Sequence, residues 1–288
     1  MNRLSREQRC QVVRALVEGN SIRSTVRMTG VAKGTILKLL ADLGPVCSAW
    51  EDDHNVGLNT KRVECDEIWA FVYAKAKNVP LGMEGLVGDA WTWTAIDAES
   101  KLVINWTVGN RDAVTALEFM DGVAKRLKNR VQLSTDGHHS YLTAVPLAFE
   151  NQIDFAQIVK KYGNASNSTK PETRYSPAVC TGATKVSRIG NPKADYVSTS
   201  YVERQNLTMR MGMRRFTRLT NAFSKKAENL AFAVALHFLY YNWARPHQTL
   251  KGITPAMAAG LSDHVWSIEE IVGLLEESEA SKIHEESN

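Results

Sequence analysis

Apolar positions recur along this chain with a helical period up to about residue 44 and with a period of two from residue 61, and the change of period divides it. Residues 5–18, SREQRCQVVRALVE, place Val12, Val13, Leu16 and Val17 on one stripe and run into Gly19-Asn20, a stop signal. Ser21 caps a second short helix in SIRSTVRMTG, and after Gly30 the segment VAKGTILKLLADLG predicts a third, ending at Gly44-Pro45. Two short helices joined through a glycine-containing turn read as a helix-turn-helix, whose second helix enters the major groove. On that reading residues 1–44 form a DNA-binding domain in which Lys33, Thr35 and Lys38 face DNA. The competing reading of the same pattern is a three-helix bundle with no DNA role. Residues 45–60 mix polar and turn residues and read as a linker.

From residue 61 the pattern is that of strands. RVECDEIWAFVYAK, GDAWTWTAIDAES and KLVINWTVG are β-rich runs with turn signals between them, as in an antiparallel meander. A helix follows in DAVTALEFMDGVAKRLKN, then a buried strand VQLSTDG, a helix in HHSYLTAVPLAF and a strand in DFAQIVKKYG. The order βββ-α-β-α-β predicts an α/β catalytic domain over 61–262, a mixed sheet flanked by helices. Residues 164–197 are rich in Pro, Gly, Ser, Asn and Thr with little periodicity and read as an insertion or long loop. Residues 226–243 form a largely apolar helix packed on the sheet, which makes His237 a satisfied core residue. Residues 263–288 read as an acidic helix fraying into a solvated tail.

Composition narrows the class. An apolar fraction of 44% and a charged fraction of 23% suit a globular protein and argue against global disorder. No run approaches the ~18 apolar residues of a membrane span, and MNRLSREQRCQVV lacks the apolar core of a signal peptide, so the expectation is a cytoplasmic protein without a membrane partner. The net charge of +4 is modest, but its distribution is uneven. Arg3, Arg6, Arg9, Arg14, Arg23, Arg27, Lys33 and Lys38 make the first fifty residues basic, and a glutamate-rich C-terminal segment masks that charge. Cys10, Cys47, Cys65 and Cys180 include no C-x-x-C pair, so no zinc knuckle is readable and buried reduced thiols are expected.

Three acids stand in settings that suit metal-dependent phosphodiester chemistry: Asp66 in VECDEIWAFV, Asp136 in VQLSTDGHHSY and Glu203 in STSYVERQNL. The first two lie in or at the end of apolar β-rich runs and the third on a predicted helix, so folding could bring them together. Carboxylates so held suit Mg²⁺, a hard cation usually bound by a few carboxylates plus substrate phosphates. Each has a structural alternative. Asp66 could be a solvated carboxylate, Asp136 an Asp-Gly turn residue, and Glu203 the last member of a capping box with Ser200. Asp97 fits the hairpin turn between the second and third strands. His138 and His139 read as surface turn residues, and Trp69, Trp91, Trp93 and Trp106 as core.

With these segments, and with STSYVERQNLTMRMGMRRFTRLTNAFSKK and YNWARPHQTLKGITPAMAAG, the chain resembles the DDE transposases of bacterial insertion sequences, most closely the insertion-sequence-one class. The resemblance implies an RNase H-like core in which Asp66, Asp136 and Glu203 are catalytic and hold two Mg²⁺ ions, with Mn²⁺ an accepted substitute. It implies double-stranded DNA as partner, both terminal inverted repeats and target, and a homodimer or larger synaptic assembly. It selects Asp66 over the adjacent Glu67, since alternation along a strand lets only one of them face the site. Helical spacing after Glu203 sets Arg210 and Arg214 near its face, with Arg204, Arg215 and Arg218 nearby, as phosphate clamps. Gly137 is expected to allow tight backbone geometry beside a metal. The chain departs from the class in lacking its small zinc element and in the long spacing between Asp136 and Glu203. Two rivals stay open: a catalytically silent DNA-binding regulator of the same descent, and an RNase H-like nuclease that cuts without joining.

Overall fold

The computed structural model describes residues 4–163, 180–217 and 221–286. Helix α1 (Arg6–Val17) opens with a capping box in which Ser5 and Gln8 satisfy each other's backbone amides. Helix α2 (Ile22–Thr29) is capped by Ser21 and stopped by Gly30, which takes the left-handed conformation at φ 70° that a Cβ would strain. These starts and stops agree with the sequence pattern.

Helix α3 (Lys33–His54) does not agree with it. It runs straight through Gly44-Pro45, so residues 45–54 are helix rather than linker. Proline inside a helix forfeits one backbone bond and costs about 3 kcal/mol. Beyond it, however, α3 buries Cys47 and packs Trp50 between Trp243 and Trp266, at ring-centroid distances of 6.0 and 5.1 Å. Burying large apolar side chains at about 1.5–3 kcal/mol each outweighs the proline. Gly44 marks a helix crossing and not a stop, because a Cβ there would overlap Phe232. Glu51, at 3% exposure, accepts from Trp106 Nε1 at 3.1 Å and Asn242 Nδ2 at 2.7 Å, which ties α3 to the main body. Helices α1 to α3 therefore belong to one packed body with the rest of the described residues.

Six strands form one sheet: β1 (Arg62–Val72), β2 (Gly88–Asp97), β3 (Val103–Gly109), β4 (Gln132–Asp136), β5 (Asp154–Tyr162) and β6 (Cys180–Ile189). Their order is β3-β2-β1-β4-β5-β6; β1, β2 and β3 are antiparallel neighbours, β4 lies parallel to both β1 and β5, and β6 closes the edge antiparallel to β5. Helices α4 (Ala113–Arg126) and α5 (Tyr141–Ala148) supply the crossovers that parallel neighbours need. An antiparallel meander continued by parallel strands through helices is the RNase H-like arrangement, so the expected α/β fold stands. Asp97 is structural, as expected: it accepts from Thr60, from Ser100 Oγ at 2.5 Å and from two turn amides.

Strand β6 corrects the reading of 164–197 as a loop over its later part; residues 164–179 lie outside the described residues. Because β6 is a sheet edge with mostly exposed side chains, it needs no apolar alternation and shows none.

Helix α6 (Ser200–Gly212) and helix α7 (Ala227–Leu239), the latter extended by a π-turn over Tyr240–Ala244, cover the face of β1 that carries Ile68 and Ala70. The opposite face, with Cys65 and Trp93, packs under α4 and α5. After the short α8 (Pro255–Ala258), helix α9 (Ile268–Glu286) returns to the N-terminus. It buries Ile271, Val272 and Leu275, and its glutamates meet the arginines of α1: Glu279 with Arg9 at 3.2 Å, Glu269 with Arg14 at 3.2 Å and Glu276 with Arg6 at 3.6 Å. The C-terminal segment is thus a helix docked as far as Glu279 and exposed over 280–284, and it pairs with three of the arginines that made the N-terminus basic, of which Arg9 is buried and Arg6 and Arg14 stay exposed. Cys10, Cys47 and Cys65 are buried free thiols, and Cys180 is exposed. Among the described residues, no helix is long and apolar enough to cross a membrane.

Candidate active site

Strand pairing brings Asp66 and Asp136 together. The parallel register of β1 and β4 ends at Cys65↔Thr135, so the next residues along the two strands are Asp66 and Asp136, side by side where β4 stops. Asp136 is held by its own turn, its Oδ1 accepting from the His138 amide at 2.9 Å, while its carbonyl accepts from Gln157 Nε2 at 2.9 Å. Gly137 is not needed for that geometry: its φ is not positive, and a Cβ there would make ordinary contact with Val159 at 3.5 Å.

Helix α6 is aimed at the same place by a carboxylate from β1. Glu64 Oε2 accepts from the amides of Tyr201 and Val202 at 2.7 and 3.2 Å, capping the positive end of α6 from across the fold. One turn on, Asn206 Nδ2 donates to Asp66 Oδ2 at 2.8 Å. Glu203 lies between these contacts on the same helix. Its Oε1 accepts from Thr199 Oγ1 at 2.7 Å and meets Lys160 Nζ of β5 at 2.5 Å. The capping-box alternative fails, because the N-cap is Thr199 and the Glu203 side chain serves no terminal amide.

The tightest cluster of carboxylate oxygens is Asp66, Glu67 and Asp136, all within 4.8 Å of one another. Alternation along β1 does not keep the Glu67 carboxylate away from Asp66 and Asp136. Its Cβ does point to the α4/α5 face, but its longer side chain bends toward the strand end, where Arg111 grips Glu67 Oε2 at 3.1 Å and Asp136 Oδ2 at 3.4 Å while resting 4.8 Å over the Trp91 ring. Glu203 stands outside this cluster, held by Lys160, yet close enough for its charge to act on Asp66.

The electrostatics follow from crowding. Burial, then the charges of Asp136 and Glu203, push Asp66 up to about 7, and burial with the Asp136 charge pushes Glu67 up to about 8. The same negative field and burial raise the Tyr141 hydroxyl well above its ordinary value. His138 departs from its surface assignment. It is 9% exposed, stacks on Trp93 at 5.6 Å, and is pushed down to about 4 by burial and by Arg111, so it is neutral. His139 is exposed. Trp93 is fully buried, whereas Trp69, Trp91 and Trp106 are half-buried.

The donor set fits a divalent cation. It offers hard carboxylate oxygens from two strands, Asp66 and Glu67 on β1 and Asp136 on β4, with one oxygen of each within 4.8 Å of the others.

The basic residues divide. Arg204 is exposed on α6, and Arg210, seven residues from Glu203, shares its face. Arg214 and Arg215 do not continue that face, because α6 ends at Gly212 and they lie in a 3-10 turn over Arg214–Phe216. Arg218 lies outside the described residues. Lys33 and Lys38 are exposed on α3, Lys38 beside Asp42 at 2.7 Å, and Thr35 is half-buried. His237 is buried as expected but not satisfied, since its Nε2 has no partner among the described residues. Arg111, Lys160, Asn206 and Glu64 were missed in the sequence; the site contacts of each are to residues at least 25 positions away.

No family model matches the sequence, and no curated protein matches it. Among solved structures the chain aligns with a piggyBac transposase synaptic complex with hairpin DNA, over 95% of this chain and 71% of that one, at 12% identity and a TM-score of 0.37. It aligns with the Mos1 strand transfer complex over 83% of this chain and 76% of that one, at 12% identity and a TM-score of 0.24. At those values the likeness carries no argument, and the case rests on the sheet topology and the acidic site.

Proposed function

We propose that the chain is a DDE transposase that cuts and rejoins DNA at the ends of an insertion sequence, with Asp66, Asp136 and Glu203 as its catalytic carboxylates. The observation that carries the proposal is the clustering of Asp66 and Asp136 at the ends of the β1–β4 parallel register in an RNase H-like sheet, with α6, which carries Glu203, joined to Asp66 through Asn206.

When bound, two divalent cations, Mg²⁺ or Mn²⁺, would supply the Lewis acidity that activates water or a DNA 3′-hydroxyl and stabilises the departing 3′ oxygen. The chain's own residues do the rest. Asp66 and Asp136 offer oxygens from a rigid sheet, Asn206 orients Asp66, and Lys160 pairs with Glu203 on the same helix as Asn206. Glu67 adds negative charge from the opposite side, balanced by Arg111. None of these side chains needs to bond covalently to DNA, unlike the hydroxyl of a serine or tyrosine recombinase. Lys33, Thr35 and Lys38 on α3 would meet the terminal inverted repeats, and Arg204 and Arg210 the phosphates next to the acids. A dimer or larger assembly would hold two element ends at once, and the setting would be the cytoplasm.

A strand-transfer assay on labelled element ends tests this. Joined products support the transposase, cuts without joining replace it with a nuclease, and salt-sensitive binding without cleavage replaces it with a regulator.

A further inference from the structure

A cavity of about 540 Å³ opens between the helix-turn-helix segment and the stretch that follows α6. Its charge is one-sided. Arg23 and Lys33 line it from α2 and α3, Arg214, Arg215 and Lys225 line it from the other side, and among the described residues no carboxylate lines it. Its apolar floor, which includes Leu40 and Leu236, lowers the local dielectric and strengthens any ion pair formed there.

Two side chains at the cavity are short of polar partners among the described residues. Arg215 is half-buried, and among the described residues it donates to Ser224 Oγ and pairs with no carboxylate. Burial alone pulls it down to about 10. A partly desolvated cation without a counter-charge is disfavoured. His237, 4% exposed, also lines the cavity, and its Nε2 has no partner among the described residues. Polar atoms buried this way are normally satisfied.

We propose that this cavity is a phosphoryl-binding site, with Arg215 and His237 at its base and Lys33 and Arg214 at its rim. Several cations converging from separate segments match a group with several anionic oxygens, and the arginine fork suits phosphate in particular. Naming a DNA backbone phosphate as the source rests on the function proposed above; the anion chemistry does not. Seated there, one phosphate would bridge the DNA-reading helix and the segment leaving α6, fixing the path of the duplex between recognition and chemistry.

Titrating inorganic pyrophosphate into the full chain with EDTA present, followed by calorimetry, tests the anion site apart from any metal. Saturable binding should weaken about tenfold or more in Arg215→Met and in Lys33→Met. Because Lys33 is exposed, its variant reports even if Arg215→Met fails to fold. Unchanged binding in Lys33→Met and in a folded Arg215→Met, or no saturable binding by the wild type, overturns the site. A second arm places single neutral methylphosphonates along a duplex taken from the DNA bordering the coding region. A position that weakens the wild type but adds no penalty in Arg215→Met supports a backbone phosphate. Pyrophosphate loss in the variants with no such position supports the phosphoryl site and overturns DNA as its source. Failure of strand transfer with pyrophosphate binding intact counts against the proposed function alone.

Discussion

Lys160 Nζ lies 2.5 Å from Glu203 Oε1, so the acid that stands outside the tight oxygen cluster is the one held by an ammonium group. That pairing balances the charge of Glu203 and sets a positive charge beside the proposed cation site. Removing it should ease cation entry. In Lys160→Met, the Mg²⁺ concentration giving half-maximal strand transfer should fall about threefold or more, a modest effect because the pair is partly exposed. A Mg²⁺ titration of the rate checks this, and an unchanged or higher midpoint counts against it.

Asp66 predicts a pH-dependent cost. Its folded value, about 7, lies above its ordinary 3.8. A carboxyl raised in this way contributes stability that is present at low pH and lost as pH rises toward 7. Asp66→Asn should therefore melt about 3–6 °C above the wild type at pH 8 and close to it near pH 4. Adding Mg²⁺ at pH 8 should raise the wild-type melting temperature and leave the variant nearly unmoved. Scanning calorimetry at the two pH values reads both effects.

Arg111 and Glu67 should behave as a unit. Arg111→Met leaves Glu67 buried without its counter-charge, at a cost of about 1–2 kcal/mol once the partial exposure of Arg111 is discounted. The loss should be larger at pH 9 than at pH 6, because Glu67 ionises near 8. Adding Glu67→Gln to Arg111→Met should recover most of it. Urea unfolding of the two single variants and the double variant measures the coupling, and simple additivity would show that the contact carries no stability.

The parts of this molecule that local signals specify were legible in its sequence. Strands β1 to β5 stand out as β-rich runs between turns, Gly19-Asn20, Ser21 and Gly30 delimit the first two helices, and Asp66 and Asp136 are marked by their positions on strands. Tertiary packing overrode the local signal at Gly44-Pro45, where the aromatic contacts of Trp50 keep α3 going. Strand β6 was hidden because an exposed edge strand needs only backbone partners, which β5 supplies. The arginines of α1 looked free for DNA because their partners lie more than 250 residues away on α9. Glu67 was dismissed because alternation describes where a Cβ points and not how far a glutamate reaches.

The most direct test of the shared cation site is an electron paramagnetic resonance titration of Mn²⁺ into the full chain bound to an element-end duplex. Wild type, Asp66→Asn, Asp136→Asn and Glu203→Gln would be compared. The account predicts two bound Mn²⁺ in the wild type and the loss of at least one in each variant. Wild-type Mn²⁺ binding in all three variants would contradict it.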